Sequence, residues 1–381
     1  MMRTRNDSKG KIMIPVNEPL FTGNEKKYLN QCIDEGWISS EGPFVREFEE
    51  KFSAYLGLRH GVAVCNGTAA LEVALAAAGI TSGDEVIMPT FTIISCAIGV
   101  IRLGARPVLV DAEPETWNMN TGQIEPKITK KTKAIMVVHT YGHPVDMDPV
   151  MAIADKYHLK VIEDAAEVHG AEYKGKKAGS IGHAGCFSFY ANKIVTSGEG
   201  GMVVTNDGEI AERAKSYRNL CFRPEKRFYH TELGYNFRMT NLQAAVALAQ
   251  LEQIDRHIRI KRRMAAAYNE RLADIGSIKL PAEKDWARNV YWMYGIELKD
   301  DAGMNNEELA TKLKEKGIDT RPFFIGMHEQ PVFHKMGLFK NERYPIAERL
   351  ARRGLYLPSG LALKDEQIDI VSEALHDILT G

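Results

Sequence analysis

Between Val62 and Thr205 the chain repeats one pattern that leaves few folds open, a short apolar run followed by a stretch with helical spacing. The runs are Val62–Val64, Val86–Met88, Pro107–Val110, Ala134–His139, Val161–Glu163, Gly185–Phe189 and Met202–Thr205. A strand that is apolar at nearly every position must be covered on both faces. Helical segments at Ala69–Ala78, Ser95–Arg102 and Pro149–Tyr157 supply that cover. The pattern therefore predicts an α/β fold whose mainly parallel sheet is flanked by helices. The last two runs follow one another without a helix, which predicts a reversal of strand direction near one edge.

The flanking regions carry their own signals. Thr22-Gly23-Asn24-Glu25 places a hydroxyl three residues before a carboxylate and predicts a capping box. Pro43 starts a second helix in which Phe44, Phe48, Phe52 and Leu56 recur at helical spacing. Thr240 caps a helical stretch toward Leu272, read either as one rod of roughly 45 Å or as two helices with a break. After Pro281 a smaller unit begins, with strands at Tyr291–Leu298 and Ile318–Phe324 and helices at Asn306–Lys316, Tyr344–Arg353 and Lys364–Leu379. The expected organisation is a polar arm over residues 1–12, a large domain over 13–255 and a small α+β domain over 256–381, with the first helices packing on either unit. A chain of 381 residues has room for these cores.

Composition narrows the function classes. Lys plus Arg is 49 and Asp plus Glu is 50, a formal charge of -1, which argues against a general nucleic-acid binder. The five cysteines are widely spaced and lack a CxxC pair; this speaks against a disulfide framework or a zinc knot and for a reducing compartment. The histidines are scattered, so no metal site is expected. The longest uncharged run, Val86 to Ile101, is interrupted by Pro, Thr and Ser and is too short to span a bilayer. The expectation is a cytoplasmic protein with no membrane and no nucleic-acid partner.

Four strand ends carry candidate chemistry. Lys193, in CFSFYANKIVTSGEGGMVVTND, leaves an apolar strand for a Gly-, Ser- and Thr-rich segment in which Gly198, Gly200 and Gly201 permit tight turns or close approach. It is either a solvated surface amine or a held one, and a partly buried lysine loses basicity and can form a Schiff base with a carbonyl. Asp164, in VIEDAAEVHG, ends a strand where parallel α/β folds collect ligand groups. It either caps the next helix or faces the ring nitrogen of a cofactor such as pyridoxal phosphate, favouring the protonated ring. Asn66-Gly67-Thr68 turns from a strand into a helix whose first amides suit a phosphate, with Ser188 as a second hydroxyl. Phe91, just past another strand, either stacks on a planar cofactor or packs in the core. There is no G-x-x-x-x-G-K-[ST] loop and no dinucleotide fingerprint.

Taken in order, WISSEGPFVREFE, NGTAAL, GDEVIMPTFT, VVHTYGHPVDMDPV, VIEDAAE, FSFYANKIVTSGEGGMVVTND and GYNFRMTNLQAAVALAQLE resemble the sugar aminotransferases of the DegT/DnrJ/EryC1/StrS family. The resemblance runs from about Met13 to Leu379. It implies the aspartate aminotransferase-like (type I PLP-dependent transferase) fold, with a mostly parallel seven-stranded sheet and a smaller C-terminal domain. It also implies pyridoxal 5'-phosphate bound to Lys193 as an internal aldimine, with Asp164 on the pyridine nitrogen. Gly67, Thr68 and Ser188 match phosphate-site positions and Phe91 the ring-stacking position. Asn236 matches an asparagine that reaches the phosphate from the neighbouring subunit of a homodimer with shared sites. Glu167 stands where the family often has Gln or His near the cofactor's phenolic oxygen. An ionised carboxylate cannot donate there, so Glu167 is protonated, accepts from a neighbour, or lies beside the sugar.

The activity so implied is a ping-pong transamination in which Lys193 is both attachment point and proton shuttle. L-Glutamate leaves as 2-oxoglutarate and the cofactor passes through its pyridoxamine form. The amine is then delivered to the C4 ketone of a nucleotide-linked 4-keto-6-deoxyhexose. Lysine rather than histidine at 193 separates the chain from the related sugar 3-dehydratases. The resemblance favours GDP-4-keto-6-deoxy-D-mannose, with a UDP- or dTDP-linked 4-ketohexose as the alternative. Candidate substrate-binding residues are His143, Arg218, Arg223, Arg227 and His328. The arginines offer forked donors to a diphosphate or are solvated loop charges, and His328 bonds a sugar hydroxyl or is structural. Arg238 orders the cofactor loop or a subunit contact.

Overall fold

Seven strands form the central sheet, and six of them run the same way. The computed structural model describes residues 13–223 and 225–381, so the expected arm lies outside the described residues. In chain order the strands are β1 (His60–Val64), β2 (Glu85–Pro89), β3 (Arg106–Val110), β4 (Thr132–Val138) and β5 (Lys160–Asp164). A small hairpin, β6 (Glu172–Tyr173) and β7 (Lys176–Lys177), precedes β8 (Ala184–Ser188) and β9 (Gly201–Thr205). Their order in the sheet is β1-β9-β8-β5-β4-β2-β3. β9 is antiparallel to β1 and β8, and the remaining pairs are parallel. The expected reversal thus sits one strand in from the edge. Residues 189–200 hold no helix to carry a crossover, so the chain returns antiparallel.

The helices cover the sheet as the apolar strands require. α1 (Glu25–Asp34) and α2 (Pro43–Tyr55) come first, and Pro43 stands at the helix start, where its missing N–H costs nothing. Phe44, Phe48, Phe52 and Leu56 are all buried. The Phe52 ring stands edge-on to Phe187 and Phe189, and a buried ring of this kind contributes roughly 1.5–3 kcal/mol. α3 (Gly67–Ala77) is alanine-rich and buried from Ala69 onward, which lets it lie close against β8 and β9. α4 (Ser95–Arg102), α5 (Met147–Tyr157) and α6 (Gly208–Arg218) complete the layers.

Two helices, not one rod, follow Thr240. α7 (Asn241–Leu251) starts with the expected cap, in which Thr240 and Gln243 satisfy each other's backbone. It ends at Glu252, and Gln253 leaves helical geometry at φ -106, ψ 5 before α8 (Ile254–Leu272) begins. The Glu252 carboxylate accepts from Asn24 and from the Tyr28 hydroxyl, which ties the break to α1. The capping box expected at Thr22 does not form. Glu25 turns inward to accept from Gly23 N–H and Gln250, while the Thr22 hydroxyl accepts from Arg256.

A second apolar cluster holds Ile14, Tyr268, Tyr294, Leu309, Leu313, Val371 and Leu375. Its sheet comprises β10 (Ile278–Lys279), β12 (Tyr294–Leu298), β14 (Gly354–Leu357) and β13 (Arg321–Pro322), while β11 (Ala287–Arg288) pairs with β6. α9 (Asn306–Glu315), α10 (Pro331–Lys335), α11 (Pro345–Arg353) and α12 (Asp365–Leu379) accompany it. Two strands are shorter than expected. Tyr291 has φ 48, outside strand geometry, and Pro322 has no N–H for the ladder. Phe323, Met327, Phe333 and Tyr344 join the main core instead. Among the described residues no helix is long and apolar enough to cross a membrane.

Asn241 fastens α7 to the loop before α2. Its Oδ1 accepts from Phe44 N–H at 2.9 Å, and its Nδ2 donates to the Trp37 carbonyl at 2.7 Å. Asn241→Ala leaves both partners unpaired and is expected to cost about 2 kcal/mol, measured as a lower urea midpoint with unchanged circular dichroism.

Candidate active site

The C-terminal ends of β5 and β8 and the turn after β1 meet over one cavity of about 440 Å³, a usual size for a small-molecule site. Gly67, Thr68, Asp164, Glu167, Ser188 and Lys193 all line it. A larger cavity of about 770 Å³ surrounds His328 and Glu348. Several of its charged groups are already paired, Arg343 with Glu348 and Arg352 with Glu329. It holds no lysine or cysteine nucleophile, so the covalent chemistry belongs to the smaller cavity.

Lys193 sits in the return segment between β8 and β9, with its backbone N–H donating to Tyr190. Its side chain is only 10% exposed; Nζ stands 3.8 Å from Glu167 Oε1 and 3.5 Å from the centroid of the Trp292 ring. Burial pulls the Lys193 amine below its ordinary range, against the pull of the Glu167 and Asp164 carboxylates. Burial likewise raises the Glu167 carboxyl above its ordinary range, opposed by the Lys193 charge and by the Tyr141 N–H that Oε2 accepts at 2.8 Å. Both shifts favour the uncharged forms, and an uncharged amine is the nucleophilic one.

The wall beneath Lys193 is fixed from behind. Trp292 Nε1 donates to the Asn192 carbonyl at 2.8 Å, and the Trp292 carbonyl accepts from Lys261 Nζ at 2.7 Å. Lys261 is buried and also donates to the Ser359 carbonyl; burial pushes its pKa down to about 7.

Asp164 is 4% exposed at the end of β5. Oδ1 accepts from Ala166 N–H and Oδ2 from the Cys96 thiol, both at 3.1 Å. Asn66 caps α3 by accepting from Ala69 N–H at 2.8 Å, and the Thr68 hydroxyl donates to Ser95 Oγ at 2.9 Å. A Cβ on Gly67 would come within 2.7 Å of Ser188 Cβ, so glycine lets this turn seat against β8. The start of α3 meets the cavity with hydroxyls from Thr68, Ser95 and Ser188 around it, and a helix N-terminus of this kind suits an anion.

Other expected site residues lie elsewhere. Phe91 does not face the cavity: it is fully buried against Tyr141, Phe323 and Phe324, and the side chain on the cavity wall is Ile93. His143 is buried on Trp286, bonded to Pro144 and Lys284 backbone, and burial lowers its pKa to about 4. Arg218 is committed to Glu49 and the Ala63 carbonyl. His328 is buried between Thr90 and Glu348. Arg223, Arg227 and Asn236 are exposed, and Arg238 bonds Asn219. Cavity residues that motif reading missed include Ile93, Ser95, Trp292, Phe324 and Tyr356. Trp292 and Tyr356 come from distant segments and carry no local signal, whereas Phe324 lies four residues before His328, and Ile93 and Ser95 lie two and four residues past Phe91.

A buried lysine amine, a buried carboxylate and a helix-borne anion site, gathered at the strand ends of such a sheet, define a pyridoxal phosphate-dependent aminotransferase. The chain belongs to the DegT/DnrJ/EryC1/StrS aminotransferase family, whose model matches residues 20–376. It is 43% identical to GDP-perosamine synthase of Caulobacter vibrioides over 96% of this chain and 98% of the relative. It is 40% identical to GDP-perosamine synthase of Vibrio cholerae over 93% and 96%. The crystal structure of S. venezuelae DesV in complex with a ketimine intermediate superposes with a TM-score of 0.87 at 34% identity, covering 93% of this chain and 94% of that one. The residues present fit pyridoxal phosphate: the cavity pairs a desolvated amine with a buried carboxylate, and Gly67 lets the start of α3 seat against Ser188, whose hydroxyl lines the same cavity.

Glu167→Gln removes the carboxylate nearest Lys193 and is expected to lower that amine's pKa further. Amine-reactive labelling of the cofactor-free protein near pH 7, followed by peptide mapping, should then modify Lys193 several-fold faster than in the wild type.

Proposed function

We propose that this protein transfers an amino group from L-glutamate to the C4 ketone of GDP-4-keto-6-deoxy-D-mannose, giving GDP-perosamine and 2-oxoglutarate. The observation that carries the reading is the convergence of Lys193, Asp164 and the start of α3 on one cavity. The choice of sugar nucleotide is supported by the relatives named GDP-perosamine synthase at 40% and 43% identity.

Bound pyridoxal phosphate supplies an aldehyde that captures amines covalently and a protonatable ring that takes up carbanion charge. Lys193 is the attachment point for that aldehyde. Once displaced, its Nζ takes the proton from the α-carbon of glutamate, and in the second half-reaction it gives one to C4 of the sugar. Asp164 keeps the ring nitrogen protonated through charge pairing. The amides at the start of α3, with Thr68 and Ser188, hold the phosphate and so set the distance from Lys193 to the reacting carbon. Glu167 donates to the cofactor's phenolic oxygen in its protonated form, which burial favours.

The active unit is a homodimer in which Asn236 reaches the neighbouring subunit's phosphate. Asn236 is exposed, and the adjoining Phe228, Tyr229 and Leu233 present apolar surface that a second copy would cover. Arg223 and Arg227, on the same exposed segment, are the candidates left for the diphosphate.

A product assay with L-glutamate and a panel of GDP-, UDP- and dTDP-linked 4-keto-6-deoxyhexoses tests the reading. Amination of the GDP-mannose derivative is expected, with loss of at least about 10³-fold in Lys193→Ala. Turnover of a UDP- or dTDP-linked ketone in place of the GDP compound would reject the substrate. Undiminished turnover in Lys193→Ala would reject the role of the lysine.

A further inference from the structure

We propose that Cys96 is a positioning residue for Asp164: its thiol donates to Oδ2 while the Ala166 amide donates to Oδ1, so the carboxylate is gripped at both oxygens. The inference rests on the reading of Asp164 as the partner of the cofactor's ring nitrogen. Cys96 is the second residue of α4 and is fully buried, and its Sγ lies 3.1 Å from Asp164 Oδ2 and 3.3 Å from the Thr92 hydroxyl. The Asp164 oxygen is the acceptor of this contact, so the thiol proton points toward Asp164. The Thr92 hydroxyl is then the donor to sulfur.

Burial, with the Asp164 charge beside it, holds the Cys96 pKa well above the ordinary thiol value. Cys96 therefore remains a thiol, and its task is donation rather than nucleophilic attack. The neighbouring buried thiol does not compete: Cys186 donates to the Ala70 carbonyl at 3.5 Å.

The consequence for chemistry follows from what a ring-nitrogen partner needs. A carboxylate at 4% exposure has almost no water to hold its charge. Donors on both oxygens satisfy its acceptors, and two anchor points also fix the carboxylate plane. Losing the thiol frees Oδ2 to rotate and weakens the ion pair with the ring. The damage falls on the step in which carbanion charge builds, and so on kcat more than on KM.

The test uses the cofactor-bound enzyme and three variants, Cys96→Ala, Cys96→Ser and Asp164→Asn. Cys96→Ala is expected to lower kcat about three- to tenfold, with KM for both substrates within about twofold. It should also shift the pH titration of the bound cofactor's visible absorbance. Cys96→Ser keeps a donor and should restore both readouts. In the infrared, the S–H stretching band assigned to Cys96 by difference against Cys96→Ser should move toward weaker bonding in Asp164→Asn, with or without cofactor.

A Cys96 band unmoved by Asp164→Asn would overturn the inference even if Cys96→Ala failed to fold. So would a Cys96→Ala enzyme that loses thermal stability while keeping wild-type kcat and absorbance titration. Full activity in Asp164→Asn would instead overturn the reading of Asp164, and that result is separable because the S–H band is read independently of turnover.

Discussion

Taking one amine out of water is the constraint on which the site depends. Lys193 lies against the face of Trp292, with Glu167 near it but beyond hydrogen-bond contact. Full pairing to a carboxylate would lock the amine as ammonium, and full exposure would keep it solvated. The intermediate arrangement, a buried amine with a carboxyl group that burial also drives toward neutrality, lowers the cost of presenting a nucleophile. Trp292 can serve as this wall because its own carbonyl and indole are tied to Lys261 and Asn192.

The sheet supplies the precision. β5 and β8 are hydrogen-bonded neighbours with Asp164 and Cys186 in register, so Asp164 and Ser188 leave the same edge. The reversed strand β9 brings Gly201 to that edge as well, and a Cβ there would come within 2.3 Å of the Asn66 carbonyl. The turn after β1 and the start of β9 are therefore packed together by backbone alone. Rigid strand ends hold reactive groups more closely than loops do, which is what a double half-reaction on one set of residues requires.

Much of this was legible in the sequence, for a physical reason. A two-sided strand must be apolar along its length, and chemistry at its end must break that run, so Asp164 and Lys193 stand out against Val161–Glu163 and Gly185–Phe189. The Asn66-Gly67-Thr68 turn stands out in the same way. What was less legible depends on tertiary packing. Phe91 and Ile93 are both apolar residues just past β2, and only the aromatic cluster with Tyr141 and Phe323 shows that Phe91 turns inward. Arg218 looks like a loop cation until α6 brings it onto Glu49. The break at Gln253 is set by contacts of Glu252 to α1, more than two hundred positions away in the chain. Trp292 and Tyr356 reach the cavity from segments with no motif at all.

The central claim is that Lys193 and no other side chain binds the cofactor's aldehyde carbon. Reduction of the cofactor-saturated protein with borohydride, followed by proteolysis and peptide mapping, reads that bond directly. The account predicts a single pyridoxyl-modified peptide carrying the label on Lys193. A label on another lysine, Lys261 included, or no label on a saturated protein, would contradict it.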